Sequence, residues 1–216
     1  MKNNCFISVQ QARIMYNSGN EALKEIACSI YIEKELVIDY TKITNFHDAC
    51  DALYLNYDEI KEKADAIYNI SKSSAAMFKL NIIRKALNFE QDLQFTKNPK
   101  DSNLYYPYNP LMTKSSTYYN GQIKLGIKEL IGEVKIEGIR YIVLSGDVAA
   151  GGSNGLGNFR HDYGVAFSFS DIGFLGCASK DIAKHLGKYF GMLITEAKYG
   201  DIVKDFEIID SKYDIN

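Results

Sequence analysis

The chain has 216 residues, of which 46% are hydrophobic and 24% charged, and its net charge is −2. That mixture suits one large folded domain or two small ones and excludes disorder along the whole length. The slight negative charge supplies no global attraction to nucleic acid or an anionic membrane, and no run approaches the roughly 20 apolar residues of a membrane-crossing helix.

Ser8 opens the first helical pattern, with Val9, Ala12, Ile14, Met15 and Tyr16 at helical spacing and Gly19 past its end. Asn20 caps a second, whose Ala22, Leu23, Ile26, Ala27 and Ile30 form one stripe. Thr44 or Asn45 opens a third, with Phe46, Ala49, Cys50 and Leu53 inward. Asp58 is expected to cap a fourth, from Glu59 to about Ile67. Ser71 or Ser73 starts a fifth, which turns Ala75, Ala76, Phe78, Leu80, Ile82, Ile83, Ala86 and Leu87 inward. Short amphipathic helices are marginal alone, so these must bury their stripes on each other or on a partner. Residues 1–90 are therefore expected to form a bundle of short helices.

Residues 91–120 carry all three prolines and the segment from Leu104 to Pro110, where aromatics alternate with proline. Proline lacks a backbone donor, so this is a linker or an edge strand.

Fifteen of the sixteen glycines lie between Gly121 and Gly200, which makes residues 121–216 the part that turns often. Strand signals fall at Gln122–Leu125, Glu133–Ile136 and Arg140–Leu144, and again at Gly164–Phe169 with Gly173–Cys177 as its hairpin partner. Ser179 caps a helix with Ile182, Leu186, Tyr189, Phe190 and Leu193 on its inner face. Gly187 and Gly191, four apart on it, let a strand or helix approach closely, or else mark a dimer face. Ile202 to Asn216 adds a last strand. The expected fold is α+β: the helical bundle, then a mainly antiparallel sheet with one packed C-terminal helix.

The segment from Ser145 to Arg160 is the natural place for a ligand. Gly146, Gly151 and Ser153 reproduce most of a phosphate-binding loop's spacing, but Gly152 stands where that loop needs lysine. Gly155 and Gly157 lack the third glycine of a dinucleotide fingerprint, since Arg160 occupies that place. What remains is a flexible or ligand-shaped hairpin loop. There Ser145, Gly146, Asp147, Gly151, Gly152, Ser153, Arg160 and His161 are the candidate contacts for an anion. His47, His161 and His185 have no zinc spacing and read as surface or structural histidines. Asp147 and Asp162 are a possible carboxylate pair of undefined separation. The serines lack a hydrolase elbow. Lys97, Lys100, Lys114, Lys124 and Lys128 flank Tyr105, Tyr106, Tyr108, Tyr118 and Tyr119, a composition that suits a half-buried sheet or single-stranded nucleic acid. The scattered Cys5, Cys28, Cys50 and Cys177 are expected to be reduced and buried.

Four phrases occur in order: Ile43–Leu53, Lys79–Asn88, Tyr105–Pro107 and Ser179–Phe190. Together with the opening from Ser8 to Tyr31, they resemble small proteins carried by tailed phages and mobile elements of gut Bacteroidetes. The chain departs from that pattern at Tyr108–Pro110, where a large aromatic is expected, and in a longer insertion around Gly146–Asn158. The resemblance implies a phage origin and a non-enzymatic role, and carries no site residue with it.

Two functions from different classes follow. One is a phage accessory or virion structural protein acting through protein contacts or self-assembly, without catalysis, metal or cofactor. It would sit in the host cytoplasm or virion, since Met1 to Cys5 lacks the apolar core of a secretory signal. The other is a small-ligand protein binding a nucleotide or other anion at residues 145–160, of the kind that counters host signalling. Single-stranded nucleic-acid binding is the third.

Overall fold

The computed structural model describes residues 7–89, 105–109, 111–115, 121, 125–126, 128–145, 147–150 and 175–214. Local capping sets its helices. Ser8 and Gln11 form a reciprocal capping box at the start of α1 (Val9–Tyr16). The Asn20 side chain accepts from the amides of Ala22 and Leu23 at the start of α2 (Glu21–Ile30). A single turn, α3 (Glu33–Leu36), and a 3-10 turn (Tyr40–Lys42) follow, neither of which the apolar periodicity indicates. Asn45 caps α4 (Phe46–Ala52), and Ser71 caps α6 (Lys72–Leu87). The cap of α5 (Tyr57–Tyr68) is Asn56 rather than Asp58: its amide oxygen takes the orphan N–H groups of Asp58 and Glu59. That leaves Asp58 in the first turn, where its charge complements the helix dipole.

The sheet is antiparallel and four-stranded in the order β2 (Leu111–Met112), β4 (Ile139–Leu144), β3 (Leu130–Ile136) and β6 (Glu207–Ser211). Ile136 pairs with Ile139 across a two-residue turn, in which Glu137 and Gly138 both take positive φ, at 50° and 81°. Positive φ at both positions matches the right-handed twist of the strands, and only the glycine takes it without steric cost. The tail supplies β6, as expected, beside β3. The aromatic and proline segment is β1 (Tyr105–Tyr108), paired with β5 (Asp147–Ala150) in a separate two-stranded sheet. Leu125 and Gly126 form a turn rather than the end of a strand. The expected strand at 164–169 and most of its hairpin partner lie outside the described residues; of the partner, Leu175–Cys177 shows an isolated bridge at Cys177.

The expected C-terminal helix is interrupted. Ser179 caps α7 (Lys180–Tyr189), the chain leaves helical geometry at Phe190 (φ −116°, ψ 11°), and α8 (Gly191–Tyr199) begins at once. Gly191 explains the close packing there. Asn109 Nδ2 donates to the Gly187 carbonyl at 2.6 Å and to that of Leu144 at 2.9 Å. A Cβ on Gly191 would lie 2.5 Å from Asn109 and from Ile131, so the bare backbone lets β3 close on the helix. Small residues here serve close approach.

One core joins both sides of residue 90. Phe46, Leu80, Ile83 and Leu87 from the helices meet Leu111, Ile131, Val143, Leu186, Phe190 and Leu193, all at most 2% exposed. Burying each such side chain contributes about 1.5–3 kcal/mol. A second, minor core of Ala12, Ala27 and Leu36 holds α1, α2 and α3 together. In α2 only Ala27 of the expected stripe is buried; Ile26 and Ile30 remain 44% and 48% exposed. Polar contacts tie this unit to the body. Buried Arg13 donates to the carbonyls of Glu35 (2.8 Å) and Ala52 (2.5 Å), and Gln10 donates to that of Leu53 (3.1 Å). The Ala52 and Leu53 carbonyls are orphan acceptors at the end of α4, where Tyr54 takes φ 53° beneath the Arg13 guanidinium.

Candidate functional site

Of the residues proposed around 145–160, two are described. Ser145 closes the β3–β4 ladder: its N–H donates to the Glu129 carbonyl (2.7 Å), and its hydroxyl accepts from the Glu129 amide (2.9 Å). Asp147 opens β5 opposite Tyr108. Gly146, Gly151, Gly152, Ser153, Arg160 and His161 lie outside the described residues, as does Asp162. Of the basic residues interleaved with tyrosines, Lys114 contacts the Glu133 carboxylate and Lys128 is buried, while Lys97, Lys100 and Lys124 lie outside the described residues.

His185 stands edge-on to Tyr40 (5.5 Å) and tilted on Tyr189 (4.5 Å), with Nε2 2.7 Å from the Ile43 carbonyl. Burial holds its pKa below the ordinary range, so the neutral ring donates that hydrogen bond. His47 lies 3.2 Å from Asp51 and against Tyr57. Both histidines have structural partners. Among the described residues no group of three or more His, Cys, Asp or Glu is placed to hold a metal. Cys50 and Cys177 are buried and their thiols are pushed up to about 11 and about 12, chiefly by desolvation. Cys28 is exposed, contrary to expectation, because it lies on the outer face of α2.

Glu129 receives Lys212, the Tyr213 hydroxyl (3.0 Å) and Lys188 (3.4 Å), which together hold its carboxyl below the usual range. A hollow of about 550 Å³ runs past Arg13, Asp48 and Asp51. There Arg13 caps α4, Asp48 accepts from Thr44 (2.8 Å), and Asp51 pairs with His47.

One cleft differs. It measures about 430 Å³ and is lined by Asp65 and Tyr68 of α5, Lys72 and Lys79 of α6, Glu196 of α8, and Phe206, Glu207 and Ile208 at the start of β6. Lys72 and Lys79 lie seven residues apart, hence on one face of α6. Asp201 stitches α6 to the end of α8: its carboxylate accepts from the Lys72 amide (2.9 Å), the Ser73 amide (3.3 Å) and the Ser71 hydroxyl. The Asp201 amide in turn donates to Ser73 Oγ at 3.0 Å.

Glu196 is the unusual member. It is 8% exposed and lies on a helix whose neighbours Met192, Leu193, Ile194 and Thr195 are at most 1% exposed. Burial raises its pKa; Lys79 and Lys72 oppose that shift and Asp201 adds to it. Burial likewise lowers the pKa of Lys79, against the pull of Glu196. Both groups therefore move toward their neutral forms, as expected where desolvation outweighs mutual attraction. Burying a carboxylate without compensation is costly, and shifted groups gathered in a cleft are the physical signature of a functional site. Glu196 was legible only as a lone acid inside the apolar run from Gly191 to Ala197. Its burial depends on α6 and β6 closing over it.

Comparison of the chain with protein-family models, curated proteins and solved structures finds no match.

Proposed function

We propose that the protein binds a small polar organic ligand in the cleft between α5, α6, α8 and β6. One observation carries this reading: Glu196, only 8% exposed, and Lys79 line one cavity, and burial moves both toward their neutral forms. A ligand supplying hydrogen-bond donors or a positive charge offsets the desolvation of that carboxylate.

Thermal denaturation against a panel of metabolites tests it. The wild type shifts upward with at least one compound. Glu196→Leu melts higher than the wild type in the absence of ligand, because a desolvated charge is gone, and shifts with none. A Glu196→Leu protein that melts lower and still responds to the panel rejects the reading.

A second reading, protein contact by an accessory or virion protein of phage type, is favoured by Ile26 and Ile30. They lie one turn apart on α2, about half exposed, where a stripe meant for burial is left uncovered. Light scattering across a concentration series and crosslinking in native particles test it. An isolated monomer that appears in no particle counts against it.

A further inference from the structure

Resting on the protein-contact reading above, we infer that the uncovered side of α2 takes a second copy of this chain, which docks through the two turns carrying Ile70 and Ile202. The contact is head to tail: each copy docks with one surface and receives on the other.

Ala22, Ile26 and Ile30 are exposed and spaced four apart, so they form one row along α2. Glu21, Glu25 and Ser29, also exposed, form the next row. The receiving side is therefore apolar with an acidic border. Lys24, the one basic residue of α2, stands over the Tyr16 ring of α1.

The docking surface is apolar with the opposite border. Ile70 and Ile202, 89% and 79% exposed, are the most exposed large hydrophobic side chains among the described residues. Ile70 lies in the turn between α5 and α6, and Ile202 in the turn after α8. Asp201 fastens these turns together through its bonds to Ser71, Lys72 and Ser73, so both isoleucines stand on one joined support. Those bonds occupy the Asp201 carboxylate. Lys72 and Lys204 then flank the turns against Asp205, a positive balance that complements Glu21 and Glu25.

The two surfaces lie apart in one copy. The α1 unit reaches the body at the Ala52 and Leu53 carbonyls, next to the start of α5. The Ile70 turn follows the other end of that helix, 12 residues or about 18 Å away. A head-to-tail contact leaves one surface of each kind open at the ends, so it grows into chains or closes into a ring.

Sedimentation velocity on the full chain over a concentration series tests this. The wild type grows beyond a dimer as concentration rises. Ile26→Gln/Ile30→Gln and Ile70→Gln/Ile202→Gln each stay monomeric, with circular dichroism spectra like the wild type's. Their equimolar mixture forms a dimer and stops there, because one intact surface of each kind remains. If Ile26→Gln/Ile30→Gln folds poorly, Glu21→Lys/Glu25→Lys replaces it and weakens association of the chain at least tenfold. If Ile70→Gln/Ile202→Gln associates as the wild type does, or the mixture stays monomeric, the head-to-tail contact is overturned and the protein-contact reading stands. A monomeric wild type also overturns it. In that case α2 crosslinked to a different protein in native particles keeps the protein-contact reading, and no such crosslink removes both.

Discussion

The unit of α1, α2 and α3 and the body that follows it obey the same local rules and are held by different forces. Both start most of their helices with Ser or Asn caps, α3 and α8 being the exceptions. The body then buries Phe46, Phe190, Leu80 and Leu186 in one continuous core. The N-terminal unit buries two alanines and Leu36, and reaches the body through the Arg13 guanidinium and the Gln10 amide. A cap decides where a helix begins; the apolar area behind it decides how firmly the helix is kept. By that measure the body is the cooperative part of the molecule, and the N-terminal unit opens locally at lower free energy.

The largest test of this contrast is Phe190→Ala. Removing a ring that is 2% exposed at the junction of α7, α8 and the sheet costs about 3–5 kcal/mol. Urea denaturation should show one transition moved down as a whole. A transition split in two would mean that the body is not one unit.

Arg13→Met should cost less and act locally. It removes charge-assisted hydrogen bonds worth about 1.5–3 kcal/mol between α1 and the end of α4. Hydrogen exchange should speed up across residues 7–36 and stay unchanged in α6 and α8. Equal loss of protection in both regions would erase the distinction.

A smaller effect comes from His185, which bridges the 3-10 turn and α7. Its folded pKa lies below the ordinary 6.5, so the unfolded chain takes up the proton first. Stability is then full above about pH 6.5 and declines as pH falls toward the folded value, by at most about 1.4 kcal/mol per unit of separation. His185→Gln should flatten that part of the wild-type pH profile. An identical slope in both proteins assigns it to other groups.

The mildest probe leaves stability untouched. Thiol labelling of the native protein, read by peptide mass spectrometry, should reach Cys28 quickly. Cys50 and Cys177 should wait for unfolding, since burial withholds both access and the thiolate form. Comparable rates at Cys28 and Cys50 would show that the body core opens as readily as α2.

The sequence by itself determined the features that depend on neighbours within four residues. Ser8, Asn20, Asn45, Ser71 and Ser179 announce their helices because a side-chain oxygen reaches an amide two or three positions on. The gap between the strand signals at Glu133–Ile136 and Arg140–Leu144 marks where the chain turns, at Glu137-Gly138. Asn56 was missed because Asp58 is an equally good cap by composition, and α3 because four residues carry no periodicity.

What only the tertiary structure decided depends on residues far apart in the chain. The break at Phe190 accompanies the insertion of Asn109 against Gly187 and Gly191. Ile26 and Ile30 stay about half exposed while Ala27 of the same helix packs with Ala12 and Leu36. The desolvation of Glu196 requires α6, α8 and β6 at once. Periodicity reports which face of an element is apolar, but the electrostatic cost of a charge depends on every surface that excludes water from it.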